Sequence, residues 1–229
     1  VELVKQPSWG VTRDNLQIGS AGGGLDGAMV LSPMPYHMSL GTITVNNKKL
    51  PMYVVARLNT GGQGISVGNR YQDANVALDA SKIKKRVDRE RAAGNYLRFA
   101  HTFKGGNSDL MLRYWLAAGG INPDKDVISL VVPGSQLVPN IQVNNIDGFC
   151  LGDPWHVRLI NQKLGYTAFV TNEFWQDHPE KALTFRSDWV DRHQNATKSI
   201  VMALMEAQQW CDKPENRLEM AKVISDAEW

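Results

Sequence analysis

The sequence predicts an α/β protein in which parallel strands alternate with helices. Four short apolar runs, at residues 97–103, 127–132, 147–150 and 166–170, are separated by segments of helical composition. These segments are long enough to form the helical crossover that joins two parallel strands. A chain of 229 residues that is 43% hydrophobic and 21% charged has the composition of a globular protein. Its length fits two α/β lobes of about 100 residues each.

The remaining elements flank this alternating region. The first third is rich in Gly and Pro and contains one clear strand, Pro51 to Leu58, with a second candidate at 64–67. Ala80 to Ala93 is predicted to be a helix that ends at Gly94. The last third shows apolar residues at helical spacing between Asp191 and Trp210.

These elements predict that the chain is divided into three segments. Residues 1–95 would form part of lobe one and the entry to lobe two, and residues 96–171 would form α/β lobe two. Residues 172–229 would be a helical segment that returns toward lobe one. The first residue is Val within a strand-like run, and the last follows a helical pattern. We therefore expect an internal fragment of a longer chain.

Charge and cysteine usage argue against several classes of function. The net charge is +2, and the basic run 82–91 alternates with acidic and apolar residues, which is typical of a solvated helix face and not of a nucleic-acid site. The sequence has no run of about 18 apolar residues that would span a membrane. Cys150 and Cys211 lack the spacing of a metal or redox site and are predicted to be buried thiols, although a disulfide stays open.

Catalytic motifs are missing from the sequence. It contains no GxSxG elbow, P-loop or HExxH motif, and its five histidines are scattered without ligand spacing. We therefore predict a binding protein and not an enzyme.

Small residues follow several predicted strands. The loops are 59–64 (NTGGQG), 104–108 (KGGNS) and 152–155 (GDPW), and a further glycine-rich stretch lies at 20–27. Ligands of open α/β sheets bind beyond the carboxyl ends of strands, where helix N-termini present unpaired N–H groups. Tight turns and core tryptophans would explain the same residues. The pattern is compatible with a small anion but does not require one.

Eight motifs, spread over nearly the whole chain, resemble the nitrate- and bicarbonate-binding proteins of cyanobacterial ABC importers. They are Ser8–Asn15 (SWGVTRDN), Ala21–Ala28 (AGGGLDGA), Leu31–Tyr36 (LSPMPY), Arg57–Thr60 (RLNT), Arg113–Gly120 (RYWLAAGG), Phe149–Trp155 (FCLGDPW), His178–Lys181 (HPEK) and Glu206–Cys211 (EAQQWC).

The resemblance implies a periplasmic-binding-protein-like fold of two α/β lobes with parallel sheets and a ligand cleft. It also implies a lipoprotein tether through an N-terminus absent here, which would hold the protein at the outer face of the plasma membrane. The bound anion would pass to a permease driven by an ATPase. A regulatory nitrate-sensing domain and an enzyme of the thiamine-precursor synthase type share this fold and are the alternatives.

The resemblance also implies ligand-binding residues. Trp9 and Gln63 match pocket positions that the family uses around a planar anion. Gly105 and Asn107 lie in the loop where nitrate-binding members place a histidine, whereas here the nearest histidine upstream is His101.

A possible calcium site is implied at Glu173. The family is expected to change here between a basic residue for nitrate and an acid for bicarbonate. A carboxylate that faces an anion is favourable only if a cation lies between them, so Glu173 would be a ligand of calcium. Glu173 also fits the first turn of a short helix after Thr171 or Asn172. The amino-acid sequences of several motifs resemble the bicarbonate-binding branch of the family more than the nitrate- or nitrite-binding branch.

Overall fold

The computed structural model describes residues 2–226 of the chain, which divide into two compact units. The first unit contains residues 2–30, 34–58 and 181–226. The second unit contains Leu31–Pro33 and Asn59–Glu180. The chain therefore changes unit around residues 31–33 and again near residues 58 and 180.

Helices and strands alternate through most of the chain. The helices are α1 (Trp9–Ile18), α2 (Met34–Leu40), α3 (Ser81–Ala92), α4 (Asn107–Ala118), α5 (Gly134–Gln142), α6 (Trp155–Asn161), α7 (Ser187–Arg192), α8 (Gln194–Asp212) and α9 (Arg217–Asp226). The strands are β1 (Gly27–Leu31), β2 (Met52–Thr60), β3 (Gln63–Gly68), β4 (Arg98–His101), β5 (Ile128–Val131), β6 (Gly148–Gly152), β7 (Gly165–Val170) and β8 (Pro179–Arg186). Along residues 2–226, no helix is both long and apolar enough to cross a lipid bilayer.

The first unit is built around a three-stranded sheet of order β1-β8-β2. Strand β8 lies inside the segment 172–229, which the sequence predicted to be helical. The strand was missed because two of its buried positions, Glu180 and Thr184, are polar. A period-two pattern of hydrophobicity is the sequence signal of a strand, and polar residues at buried positions remove it.

The second unit contains a five-stranded mixed sheet of order β5-β4-β6-β3-β7. Strand β4 pairs in parallel with both β5 and β6, whereas β3 is antiparallel to β6 and β7. The prediction of parallel sheets was therefore wrong for β3, which makes this sheet mixed. The four strands joined by helical crossovers do run in one direction, but β3 reaches the sheet directly from β2 through Gly61 and Gly62, without a crossover helix. A strand that arrives this way is free to insert antiparallel.

Two apolar layers cover the faces of this sheet. Phe99 of β4 packs with Trp115 of α4 in one cluster, and its neighbour Ala100 packs with Leu137 of α5 in the other. Successive residues of a strand point to opposite faces, so each central strand supplies both layers. The sheet is thereby buried on both faces and gives the loops at its strand ends a rigid base.

His156 forms a buried polar contact in this core. Its Nε2 lies 2.6 Å from the carbonyl oxygen of Leu151, and its Nδ1 lies 2.7 Å from the hydroxyl of Ser66. The ring also stacks on Phe149. Since a carbonyl can only accept, Nε2 carries the hydrogen and Nδ1 accepts from Ser66. Burial lowers the pKa of His156, because desolvation disfavours the charged ring.

We expect the free energy of unfolding to fall as the pH is lowered from 7.5 to 5.5. The unfolded chain protonates His156 near its ordinary pKa of about 6.5, while the folded chain resists, so acid favours unfolding. One such group contributes at most about 1.4 kcal/mol per pH unit. Urea unfolding at several pH values measures the slope. His156→Gln should reduce it, and an unchanged slope in this variant would contradict the assignment.

Candidate functional site

Trp9 lies at the start of α1 in the first unit. The helix is capped by Ser8, whose hydroxyl accepts the N–H of Val11 at 3.2 Å. The indole of Trp9 is half-buried, and the ammonium of Lys181 lies 5.6 Å from its ring centroid. A cation over an indole face is an attractive arrangement. Here it places a positive charge beside a predicted ligand residue.

Gln63 begins β3 in the second unit, and its side chain is buried. Its Nε2 donates to the carboxylate oxygen Oε1 of Glu180 at 2.5 Å, and its Oε1 accepts from the thiol of Cys150 at 3.6 Å. The hydroxyl of Thr171 donates to its backbone carbonyl at 3.1 Å. The side chain and the backbone of Gln63 are therefore both fixed by hydrogen bonds.

His178 extends this network. Its Nε2 lies 2.7 Å from the hydroxyl of Thr171, and the residue is fully buried. Its Nδ1 lies 3.2 Å from the carbonyl oxygen of Pro179, so the ring is held on both sides. Gln63, Cys150, Thr171, His178 and Glu180 are together called the Gln63 cluster below.

Asn107 connects the start of α4 to this cluster. Its buried carboxamide donates to the carbonyl oxygens of Pro179 and Glu180 at 2.8 and 2.9 Å. Gly105 lies just before the helix with a φ of 76°, a conformation that glycine adopts readily. The structure thus links two predicted site residues, Gln63 and Asn107, through a strand residue that was not predicted.

Polar groups at the end of β4 and at the start of α4 lie close together. His101 lies 3.4 Å from the carboxylate of Asp109 and 3.0 Å from the hydroxyl of Ser129. Burial lowers the pKa of His101, against the opposing effect of Asp109. Within residues 2–226, the buried hydroxyl oxygens of Ser108 and Thr102 have no hydrogen-bond partner. The Ser108 hydroxyl at this helix end therefore has hydrogen-bonding capacity that the described chain does not use.

Glu173 adopts a local capping role. It lies in a short 3₁₀ helix at Thr171–Glu173, and its Oε1 accepts the N–H of Val170 at 2.9 Å. The part of the chain that the structure describes contains no group of three His, Cys, Asp or Glu side chains arranged to hold a metal ion. The observed contact of Glu173 therefore agrees with the alternative in which it lies in the first turn of a short helix. A calcium requirement stays a prediction.

Sequence reasoning missed Lys181 and most of the Gln63 cluster. Glu180 and Lys181 were noted only as part of the HPEK motif, and Cys150 was interpreted as a buried thiol. Both cysteines are free; the prediction of a buried thiol is confirmed for Cys150 and wrong for Cys211, which lies exposed on α8. The sequence signal that could have identified these residues is the charged pair Glu180 and Lys181, which lies inside strand β8.

Comparison with known proteins gives similarity over the full chain. The chain is 53% identical over 229 residues to the nitrate/nitrite binding protein NrtA of Nostoc sp., with coverage of 100% of this chain and 51% of that protein. It is 45% identical over 226 residues to the bicarbonate-binding protein CmpA of Synechococcus elongatus, with coverage of 98% and 50%. The chain therefore spans about half the length of these relatives.

A solved structure confirms the fold. The crystal structure of the periplasmic nitrate-binding protein NrtA from Synechocystis matches with a TM-score of 0.93 at 51% identity, and the match covers 100% of this chain and 58% of that one. The fold is that of periplasmic binding proteins, with two α/β lobes and mixed sheets. The model of the NMT1-like family matches residues 1–225. The chain therefore belongs to the NMT1-like family.

Proposed function

We propose that the chain is part of the solute-binding component of an ABC importer, and that it captures a small planar oxyanion. The observation that carries this proposal is the 53% identity to a nitrate/nitrite binding protein over all 229 residues. These relatives are named as nitrate/nitrite-binding and bicarbonate-binding proteins, and further relatives are named as ATP-binding proteins of nitrate import and bicarbonate transport. We propose the same for this chain, with binding and release of the anion and no chemical change in it.

The contact between Lys181 and Trp9 supports an anionic ligand. An ammonium group offers charge-assisted hydrogen bonds to an oxyanion, and an indole N–H is an additional donor. Nitrate and nitrite have oxygen acceptors and no hydrogen to donate. A site that recognises them therefore has to supply N–H and O–H donors.

Gln63 supports the same conclusion in the second unit. The contacts described above use one of the two Nε2 hydrogens of its carboxamide, on Glu180. The second hydrogen is a neutral donor that an oxyanion can accept. In the same unit, the Asn107 carboxamide at the start of α4 donates hydrogen bonds to the backbone of the strand that carries Glu180.

Nitrate or nitrite is the first choice of ligand and bicarbonate the second. The identity to the nitrate/nitrite binding relative, 53%, exceeds the 45% to the bicarbonate-binding one. The cation beside Trp9 also offers an anion a positive charge from the protein itself. The alternative is that the chain binds bicarbonate together with calcium at Glu173, as the sequences of several motifs suggested.

The partners and the location follow as parts of the proposal. An importer needs a permease and an ATPase, and a binding protein delivers its anion to them from the periplasmic side. A lipoprotein tether would keep the protein at the outer face of the plasma membrane.

Titration calorimetry of the full-length protein tests the ligand. Nitrate, nitrite and bicarbonate are titrated separately, each with calcium and with a chelator. We expect saturable binding of nitrate or nitrite that is indifferent to calcium. Binding of bicarbonate alone, and only with calcium, would establish the second choice. No binding of any of the three ions at millimolar concentration would refute the proposed function.

A further inference from the structure

The orientation of the Gln63 carboxamide is decided by its two side-chain partners. A carboxamide has an oxygen and an NH₂ group of similar size at its two ends, so it can bind in either of two orientations. Glu180 lies at one end, 2.5 Å from Nε2, and the thiol of Cys150 lies at the other, 3.6 Å from Oε1. An ionised carboxylate can only accept and a thiol donates, so both partners select the same orientation.

Burial strengthens this selection at the thiol. Cys150 is fully buried, and desolvation together with the charge of Glu180 raises the pKa of the thiol. The sulfur therefore keeps its hydrogen at neutral pH and remains a donor to Gln63 Oε1. A reversed carboxamide would place its NH₂ against the S–H and its oxygen against the carboxylate, which are two repulsive contacts.

The backbone of Glu180 is itself held in place by hydrogen bonds. The carbonyl oxygen of Glu180 accepts from Asn107 Nδ2 at 2.9 Å and from the backbone N–H of Ser32 at 3.0 Å. The carbonyl of the preceding Pro179 accepts from Asn107 as well. The backbone that carries the Glu180 side chain is thus fixed independently of the Gln63 carboxamide.

We propose that Glu180, assisted by Cys150, is a positioning residue for ligand recognition, which fixes the Gln63 carboxamide so that its second N–H is presented to the bound anion. This inference rests on the proposed function, because it assumes that Gln63 contacts the anion. The reversed orientation would present a carbonyl oxygen, which repels an oxyanion. Glu180 therefore favours binding although its own charge has the same sign as the ligand.

Removal of the charge without a change in size separates these two effects. In Glu180→Gln, the new side chain can donate or accept, so it no longer selects one orientation of Gln63. If positioning dominates, affinity for the anion falls, and if charge repulsion dominates, it rises. A hydrogen bond to a charged group contributes about 1.5–3 kcal/mol, so we expect a loss of about 10-fold or more.

The test is a double-mutant cycle on the full-length protein, with nitrate and bicarbonate titrated separately. Glu180→Gln should weaken binding of the preferred ion about 10-fold in the wild-type background and less than about 2-fold in the Gln63→Ala background, since nothing is left to position. An equal loss in both backgrounds would indicate a structural role. That result, or an unchanged or tighter affinity of Glu180→Gln, overturns the proposal.

A second pair of variants covers the case in which Gln63→Ala binds too weakly to measure or Glu180→Gln does not fold. Cys150→Ala removes the donor to Gln63 Oε1, whereas Cys150→Ser retains one. We expect the alanine variant to bind about 3-fold more weakly than the serine variant, and equal affinities would overturn the proposal. Failure of the wild type to bind either ion refutes the proposed function itself, and this inference with it.

Discussion

Replacement of Lys181 by methionine in the full-length protein should weaken nitrate binding by about 10- to 100-fold. The variant keeps most of the side-chain volume next to Trp9 but removes the ammonium 5.6 Å from the indole centroid. Loss of a charge-assisted hydrogen bond costs about 1.5–3 kcal/mol, which corresponds to that range of affinity. Calorimetry measures the affinity, and the quenching of tryptophan fluorescence gives an independent readout.

Two further variants control for the change of charge. Lys181→Arg retains the cation and should lose less affinity than the methionine variant. Lys198→Met removes a positive charge from an exposed position of α8 in the same unit, and should leave nitrate binding unchanged. Equal affinities of Lys181→Met and Lys198→Met would show that Lys181 does not contact the anion.

Replacement of Trp115 by alanine should lower the free energy of unfolding by about 3–5 kcal/mol. Trp115 is buried in α4, and its ring lies 6.1 Å from that of Phe99 and 5.9 Å from that of Phe169. Its Nε1 donates to the carbonyl of Ala77 at 3.1 Å. The variant leaves a cavity between α4 and the sheet and an unpaired carbonyl. Urea unfolding at constant pH measures the loss.

The adjacent aromatic residue of the same helix is a matched control. Tyr114 is 62% exposed and stacks on Phe174. Tyr114→Ala should cost about 1 kcal/mol, because it removes one aromatic contact and leaves no cavity. Similar losses for both variants would contradict the core assignment. Since α4 also carries Asn107, the Trp115 variant should in addition weaken anion binding.

The sequence alone predicted the elements whose signal is local. The four apolar runs form β4, β5, β6 and β7, and the helix predicted from Ala80 to Ala93 is observed as α3 at Ser81–Ala92. These segments combine hydrophobic periodicity with glycine ends, and both depend on residues that are near one another in the chain. The motifs of the family were also visible, and the family assignment from them is confirmed.

The antiparallel pairing of β3, the strand β8 and the side-chain contacts described above were decided by the tertiary structure. Gln63 and Glu180 are separated by 117 positions, yet their side chains share a hydrogen bond. No local pattern encodes that pairing, because polar residues at buried positions are stable only when the fold supplies their partners. Lys181 likewise reaches Trp9 from the other end of the chain. The sequence by itself thus determined the layered α/β framework through its local periodicity, whereas long-range packing decided which polar groups meet within each of the two units.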